Sequence, residues 1–158
     1  EQSGPNNEGL RLARGRYIAF LNHDDLWLPD HLQTLVDLIA RERADMVYAR
    51  GISILPDGRR ILLGHGPGRA YMPVADVHAS LWLCRHELFQ EIGPWRHSRA
   101  CWAIPSQDWL IRAWRAGKRI VPAEGVTVVA VHAARYRDCF RAPRSPLKWA
   151  PAMCSTEK

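Results

Sequence analysis

The sequence predicts an α/β layered domain, because short apolar strands alternate with amphipathic helices along most of the chain. Residues 16–21 (RYIAFL) are rich in β-forming side chains and end abruptly in the polar residues 22–25 (NHDD). Pro29 then opens a segment whose apolar residues between 32 and 39 share one helical face. Ligands of open α/β sheets bind at the carboxyl ends of strands, so residues 22–25 mark the expected site.

The remaining elements follow from local patterns. Pro56-Asp57-Gly58 is a turn sequence between two apolar runs and predicts a hairpin. Ser106 is the expected N-cap of a helix that ends at Gly117. The other expected elements are a strand over 45–49, the hairpin over 51–63, a loop over 64–73, a strand over 80–84, a helix over 85–92, and two strands over 118–121 and 126–131.

Length and composition indicate one domain. The 158 residues can bury a single core, and we expect it to span residues 1–141, followed by an irregular proline-containing tail over 142–158. No apolar run approaches the roughly eighteen residues of a membrane span, and the polar start is unlike a signal peptide. The absence of an initiator Met predicts an N-terminus that is not native.

Net charge and the cysteine pattern indicate which classes of partner and which redox setting suit the chain. Lysine and arginine outnumber aspartate and glutamate by 22 to 16, giving a net charge of +6 that suits an anionic partner. The basic residues form no run of five or six, so nucleic-acid binding has little support. The four cysteines form no C-x-x-C pair, which predicts free thiols in a reducing cytoplasmic setting.

Two acidic positions could carry chemistry. Asp24 and Asp25 follow a buried strand, where carboxylates are costly unless they are paired, hydrogen-bonded or bound to a metal. Hard cations such as Mg²⁺ prefer such oxygen ligands. Asp108 lies in the first turn of the helix after Ser106. The alternatives are structural: the acidic pair can form a helix-capping turn, and Asp108 can stabilise a helix dipole.

Four segments, in this order, resemble family 2 glycosyltransferases of the GT-A fold. The first contains the N-x-G-x-x-x-A-x-G pattern, and the second is a strand that leads into a D-x-D-like motif. The third contains an R-x-x-L-x-x-x-I-G pattern and resembles an acceptor-side helix, and the fourth resembles a Q-D motif. They are residues 7–15 (NEGLRLARG), 16–29 (RYIAFLNHDDLWLP), 83–93 (LCRHELFQEIG) and 106–113 (SQDWLIRA), within a resemblance that covers about residues 6–132.

The resemblance implies a fold, an activity and roles for residues. The fold would be a GT-A-like (Rossmann-like) mixed sheet flanked by helices. The activity would be metal-dependent, inverting transfer of a sugar from a nucleotide-diphosphate donor to a hydroxyl acceptor. Asp24 would bind Mg²⁺ or Mn²⁺ on the donor diphosphate, beside Asn22 and Asp25, and Asp108 would be the general base. His132 is a further candidate metal ligand, with an ordinary strand-end histidine as the alternative.

The acceptor side is predicted around Gln107 of the Q-D motif, with Trp82 and Trp109 as candidate sugar-facing rings. Ordinary packing is the alternative for both rings. Trp27 and Trp114 are expected in the core. The acceptor itself is left open as a carbohydrate, lipid-linked or protein hydroxyl, in a setting of cell-envelope polysaccharide biosynthesis.

The sequence departs from the family pattern in two ways. Asn22 replaces the first acid of D-x-D, and the family's first βαβ units, which bind the nucleotide, are expected upstream of Glu1. The second hypothesis is therefore a catalytically silent fragment or pseudoenzyme that acts as a binding or structural module. The basic charge also suits a location in the cytoplasm at the inner face of the membrane.

Overall fold

A computed structural model describes residues 2–55, 58–64, 70–75 and 77–131 of the chain. The predicted tail over 142–158 and part of the predicted loop over 64–73 lie outside these ranges. The elements in chain order are α1 (Ser3–Leu12), β1 (Tyr17–Ala19), β2 (Asp25–Trp27), α2 (His31–Arg41), β3 (Met46–Ile54), β4 (Arg60–Leu63), β5 (Trp82–Arg85), α3 (Glu87–Ile92), α4 (Pro105–Arg115) and β6 (Ile120–Val131). Two short 3₁₀ turns, Ala79–Leu81 and Ser98–Ala100, precede β5 and α4.

The strands form one mixed six-stranded sheet with the order β1-β5-β3-β6-β2. β4 pairs with the second half of β3, where it continues the line of β5. β3 and β6 are parallel, and every other pairing is antiparallel. This sheet, flanked by helices, confirms the predicted α/β fold class. The predicted hairpin over 51–63 is also confirmed, since Gly51 lies opposite Leu63 and Ile54 opposite Arg60.

Apolar side chains pack on both faces of the sheet. Successive residues of β3 alternate between the faces, so Tyr48 joins a core with α3 and α4 while Val47 joins a core beneath α2. Helix α2 contributes Leu35, Leu38 and Ile39, which are all buried. Each of these side chains stabilises the fold by roughly 1.5–3 kcal/mol through its burial. The helical periodicity after Pro29 therefore predicted most of the buried face, but Leu32, which was expected on that face, is 44% exposed.

Three local predictions are wrong. Ser106 does not cap α4, because the helix begins at Pro105 with Ile104 as its N-cap and Ser106 is buried in the first turn. The two strands predicted at 118–121 and 126–131 are one strand, β6, interrupted by a bulge. Trp114 is 45% exposed rather than in the core. Among the described residues no helix is both long and apolar enough to cross a bilayer.

Candidate functional site

A hydrogen-bonded cluster of Asn22, Asp25 and Ser80 lies where the chain leaves β1. Ser80 Oγ donates to Asp25 Oδ2 at 2.5 Å, and Asn22 Nδ2 donates to the same oxygen at 3.0 Å. Ser80 Oγ also accepts the Asn22 backbone N–H at 3.0 Å. Asp25 is only 8% exposed, so these two donors stabilise a carboxylate that burial would otherwise destabilise. Asp25 therefore holds the turn in shape through these two hydrogen bonds.

Asp24, the neighbouring acid, has a more open environment. Its side chain is 18% exposed, and Oδ1 lies 3.9 Å from Nδ1 of the exposed His23. The Asp24 backbone carbonyl accepts the N–H of Val131 at 3.2 Å, which joins the turn to the end of β6. The predicted further ligand, His132, lies outside the described residues. The Asp24 carboxylate is therefore partly exposed to solvent, whereas the Asp25 carboxylate is buried and hydrogen-bonded within the turn.

The residues of this turn fit a divalent cation in part. Within the described ranges, no group of three or more His, Cys, Asp or Glu residues could enclose a metal ion. Mg²⁺, however, is commonly bound by one or two carboxylates together with substrate phosphates, rather than by a protein cage. Asp24 supplies one such carboxylate, and a metal brought in with a diphosphate donor is compatible with this arrangement.

Asp108 lies in the first turn of α4 and contacts two arginines. Arg112, one turn further along the helix, donates from Nε to Asp108 Oδ2 at 3.0 Å. The other oxygen, Oδ1, lies 3.8 Å from the terminal nitrogen of Arg96, whose side chain is 55% exposed. Arg112 also donates to the carbonyls of Ile92 and Pro94, both at 2.7 Å, and so joins α4 to the end of α3. One carboxylate oxygen is therefore fixed, while the other faces a solvated side chain.

The chain segment 77–80 connects the two acidic positions. Gln107, which precedes Asp108, donates from Nε2 to the Val77 carbonyl at 3.1 Å. Ser80, at the other end of the segment, bonds to Asp25 and accepts Trp27 Nε1 on its carbonyl at 2.8 Å. Three residues of chain span at most about 11 Å. The start of α4 and the turn after β1 are therefore anchored close together.

The candidate acceptor-side rings lie inside the core. Trp82 and Trp109 are both 0% exposed, and their indole nitrogens donate to the backbone carbonyls of Val77 and Gly93. Their faces pack against other rings, with Trp82 stacked on Trp95 and Trp109 stacked on Phe89. No ring face is open to a sugar, so the packing alternative describes both residues. Gln107 is buried too, and its contact with Val77 positions the start of α4.

His31, at the start of α2, is an uncharged buried neighbour of the turn. Its ring stacks on Trp27 with 4.7 Å between centroids, and Nδ1 lies 2.7 Å from Thr127 Oγ1. Burial lowers the pKa of His31 from 6.5 to about 4 and outweighs the opposing effect of the nearby Asp30 charge. The imidazole is therefore neutral at physiological pH and packs as a core side chain.

An open cavity of about 690 Å³ lies at the opposite end of β6. Leu38 of α2, Trp114 of α4 and the β6 segment 120–125 contribute to its lining. None of Asn22, Asp24, Asp25 or Asp108 lines it, so it is separate from the candidate site.

Sequence reasoning missed three residues that shape the site. Arg112 was detectable, because an arginine four residues after an aspartate on a helix is a common ion pair. Ser80 and Arg96 gave no such signal, since they reach Asp25 and Asp108 only through the tertiary fold.

Comparison with known proteins identifies the protein family to which the chain belongs. The family model described as "Glycosyl transferase family 2" matches residues 2–93. This match covers more than half of the chain, which therefore belongs to glycosyl transferase family 2. The predicted family is thereby confirmed.

Two named glycosyltransferases show local similarity to the chain. The chain is 38% identical over 61 residues to the amylovoran biosynthesis glycosyltransferase AmsB of Erwinia amylovora, covering 35% of this chain and 20% of that protein. It is 33% identical over 46 residues to the Escherichia coli UDP-Glc:alpha-D-GlcNAc-diphosphoundecaprenol beta-1,3-glucosyltransferase WfgD, covering 29% of this chain and 18% of that protein.

Solved structures of S. aureus TarS share the fold. TarS 1-349 superposes with a TM-score of 0.64 at 16% identity, over 82% of this chain and 40% of that chain. Its complex with UDP-GlcNAc gives a TM-score of 0.63 at 15% identity, over 82% of this chain and 38% of that chain. The likeness confirms the predicted GT-A-like fold. The chain spans well under half the length of each of these proteins.

Proposed function

We propose that the protein transfers a sugar from a nucleotide-diphosphate-sugar donor to a hydroxyl acceptor, with inversion at the anomeric carbon. One observation carries the proposal. Two carboxylates at motif positions of a family 2 chain, Asp24 and Asp108, lie on elements anchored to the same short segment, residues 77–80. Donor-side and acceptor-side groups of a transferase must meet at one reacting bond, and this arrangement suits that requirement.

Asp24 forms the donor side. Its partly exposed carboxylate would hold a Mg²⁺ or Mn²⁺ ion together with the donor diphosphate, with His132 as a further candidate ligand. When bound, such an ion stabilises the negative charge that develops on the leaving diphosphate. Asn22 and Asp25 fix the turn through their shared hydrogen bonds with Ser80, so that Asp24 keeps its direction.

Asp108 forms the acceptor side as general base. The acceptor oxygen bonds to the anomeric carbon, the bond from that carbon to the diphosphate oxygen breaks, and the nucleoside diphosphate leaves with the electron pair. The hydroxyl proton passes to Asp108, because a hydroxyl is a weak nucleophile until a positioned carboxylate accepts its proton. Arg112 holds Oδ2, so Oδ1 is the oxygen available to the acceptor.

The relatives support a donor class and a cellular setting. TarS has been solved with UDP-GlcNAc and with UDP, which favours a uridine-diphosphate sugar here too. The name of WfgD specifies a diphosphoundecaprenol-linked acceptor, and AmsB serves amylovoran biosynthesis. We therefore include in the proposal a carbohydrate or lipid-linked acceptor, cell-envelope polysaccharide biosynthesis, and peripheral association with the inner face of the membrane.

The second candidate function is a catalytically silent binding or structural module. Asn22 favours it, because this amide stands where the family has an acid and its Nδ2 is engaged by Asp25. Such a module would give no metal-dependent heat with any nucleotide sugar in calorimetry, whereas the transferase would.

Asp108→Asn tests the proposed chemistry. The amide keeps an oxygen that can accept from Arg112 but cannot take the acceptor proton. In the complete protein that carries this sequence, we expect turnover to fall roughly 10²- to 10⁴-fold with donor affinity nearly unchanged. Asp37→Asn is the matched control, because Asp37 is an exposed helical acid with a hydrogen bond from Gln33, one turn away. Unchanged turnover in Asp108→Asn would remove this residue from the mechanism.

A further inference from the structure

The segment between α3 and α4 carries an exposed apolar and basic loop, residues 96–104 (RHSRACWAI), hereafter the 96–104 loop. Trp102 is 106% exposed, so the residues that the structure describes cover none of its side chain. Ile104 is 55% exposed, and Arg96 and Arg99 are both exposed. The loop contains three basic residues, if His97 is included, and no acidic one.

Trp102 differs from the tryptophans that surround it in sequence. Trp82, Trp95 and Trp109 are at most 2% exposed and build the core between the sheet and α4. Trp102 adds nothing to that core, and full exposure of so large an apolar group is unfavourable in water. Clustered exposed apolar residues mark surfaces that contact a partner or a membrane.

The chemistry of this surface matches an anionic lipid bilayer. Tryptophan is favoured at the water–lipid boundary, where its ring is apolar and its N–H remains hydrated. Arginines close to the boundary are attracted to the negative surface of lipids such as phosphatidylglycerol. The loop contains no acid and the net charge of the chain is +6. An anionic lipid surface would therefore attract this loop rather than repel it.

We infer that the 96–104 loop docks the protein on an anionic bilayer through Trp102 and Ile104, with Arg99 contacting lipid phosphates. Arg96, in the same loop, lies 3.8 Å from Asp108, so docking brings the candidate base to the membrane surface. This inference deepens the peripheral association in the proposed function and rests on it for its catalytic meaning. Lipid binding itself needs neither donor nor turnover.

Vesicle flotation of the purified chain tests the inference. We expect binding to vesicles of phosphatidylcholine mixed with phosphatidylglycerol, and much weaker binding to phosphatidylcholine alone. Trp102→Ala is expected to reduce partitioning roughly tenfold, and Arg99→Gln about fivefold. Trp114→Ala and Arg115→Gln are matched controls at the other end of α4, and they should leave partitioning unchanged.

A loss of lipid binding can be distinguished from a loss of folding by circular dichroism and thermal unfolding of the same variants. It can be distinguished from failure of the transferase proposal because lipid binding and turnover are measured separately. Trp102 is fully exposed, so Trp102→Ala should keep the wild-type circular dichroism and thermal midpoint. Absence of binding to the mixed vesicles would overturn the inference, as would equal losses in the Trp102 and Trp114 variants. Either outcome would leave the test of Asp108 unaffected, because that test measures turnover.

Discussion

Removal of the Ser80 hydroxyl tests the hydrogen-bonded turn beside the candidate site. In Ser80→Ala, Asp25 loses its 2.5 Å donor and the Asn22 backbone N–H loses its acceptor. A hydrogen bond to a charged group contributes about 1.5–3 kcal/mol and a neutral one about 1 kcal/mol. We therefore expect the free energy of unfolding to fall by roughly 2–4 kcal/mol, since Asp25 remains a buried carboxylate with Asn22 Nδ2 as a donor.

Urea unfolding followed by circular dichroism measures this loss, and Ser53→Ala is the matched control. Ser53 is 1% exposed, and its hydroxyl has no hydrogen-bond partner in the described ranges. Its removal should change stability by less than about 1 kcal/mol, or increase it, because an unpaired buried hydroxyl is itself unfavourable. Equal losses in the two variants would refute the reasoning, because the effect would then come from the deleted atom and not from its hydrogen bonds.

Two further predictions concern titratable groups. Burial lowers the pKa of His31 to about 4, below its unfolded value of 6.5. The contribution of neutral His31 to the free energy of unfolding is therefore fully present above pH 6.5, and it decreases by up to about 3 kcal/mol as the pH falls towards 4. Urea unfolding across this range checks it, and a pH slope that is unchanged in His31→Gln would contradict it. Burial also raises the pKa of the Cys84 thiol, whereas Cys101 is partly exposed, so alkylation and peptide mass spectrometry of the folded protein should modify Cys101 much faster. Equal labelling of the two thiols would show that the Cys84 region opens readily.

The sequence was most informative where a local pattern coincides with the tertiary fold. The apolar run before residues 22–25 predicted β1 and its polar turn, and the periodicity after Pro29 predicted most of the buried face of α2. Helix α1 was missed, since Gly4, Pro5 and Gly9 are poor helix formers. Distant contacts hold this segment, because Asn7 exchanges two hydrogen bonds with the backbone of Trp95.

Strands that form by pairing with residues far away in the sequence could not be predicted from local sequence patterns. Strand β2 was not predicted: its first residue, Asp25, was assigned to a polar turn, yet it lies opposite Ala130 of β6 in an antiparallel pair. The break predicted inside β6 is a bulge, since Tyr48 lies opposite Pro122 but Arg50 lies opposite Val126. Pro122 and Gly125 lie at this bulge, and pairing with β3 keeps the strand continuous across it.

Calorimetry of donor binding tests the central claim most directly. Nucleotide sugars are titrated, with and without Mn²⁺, into the complete protein that carries this sequence, into Asp24→Asn and into the control Asp37→Asn. We expect metal-dependent binding in the wild type and in Asp37→Asn, and at least about tenfold weaker binding in Asp24→Asn. Absence of metal-dependent heat with every nucleotide sugar, or unchanged affinity in Asp24→Asn, would contradict the assignment of Asp24 to the donor side of a transferase.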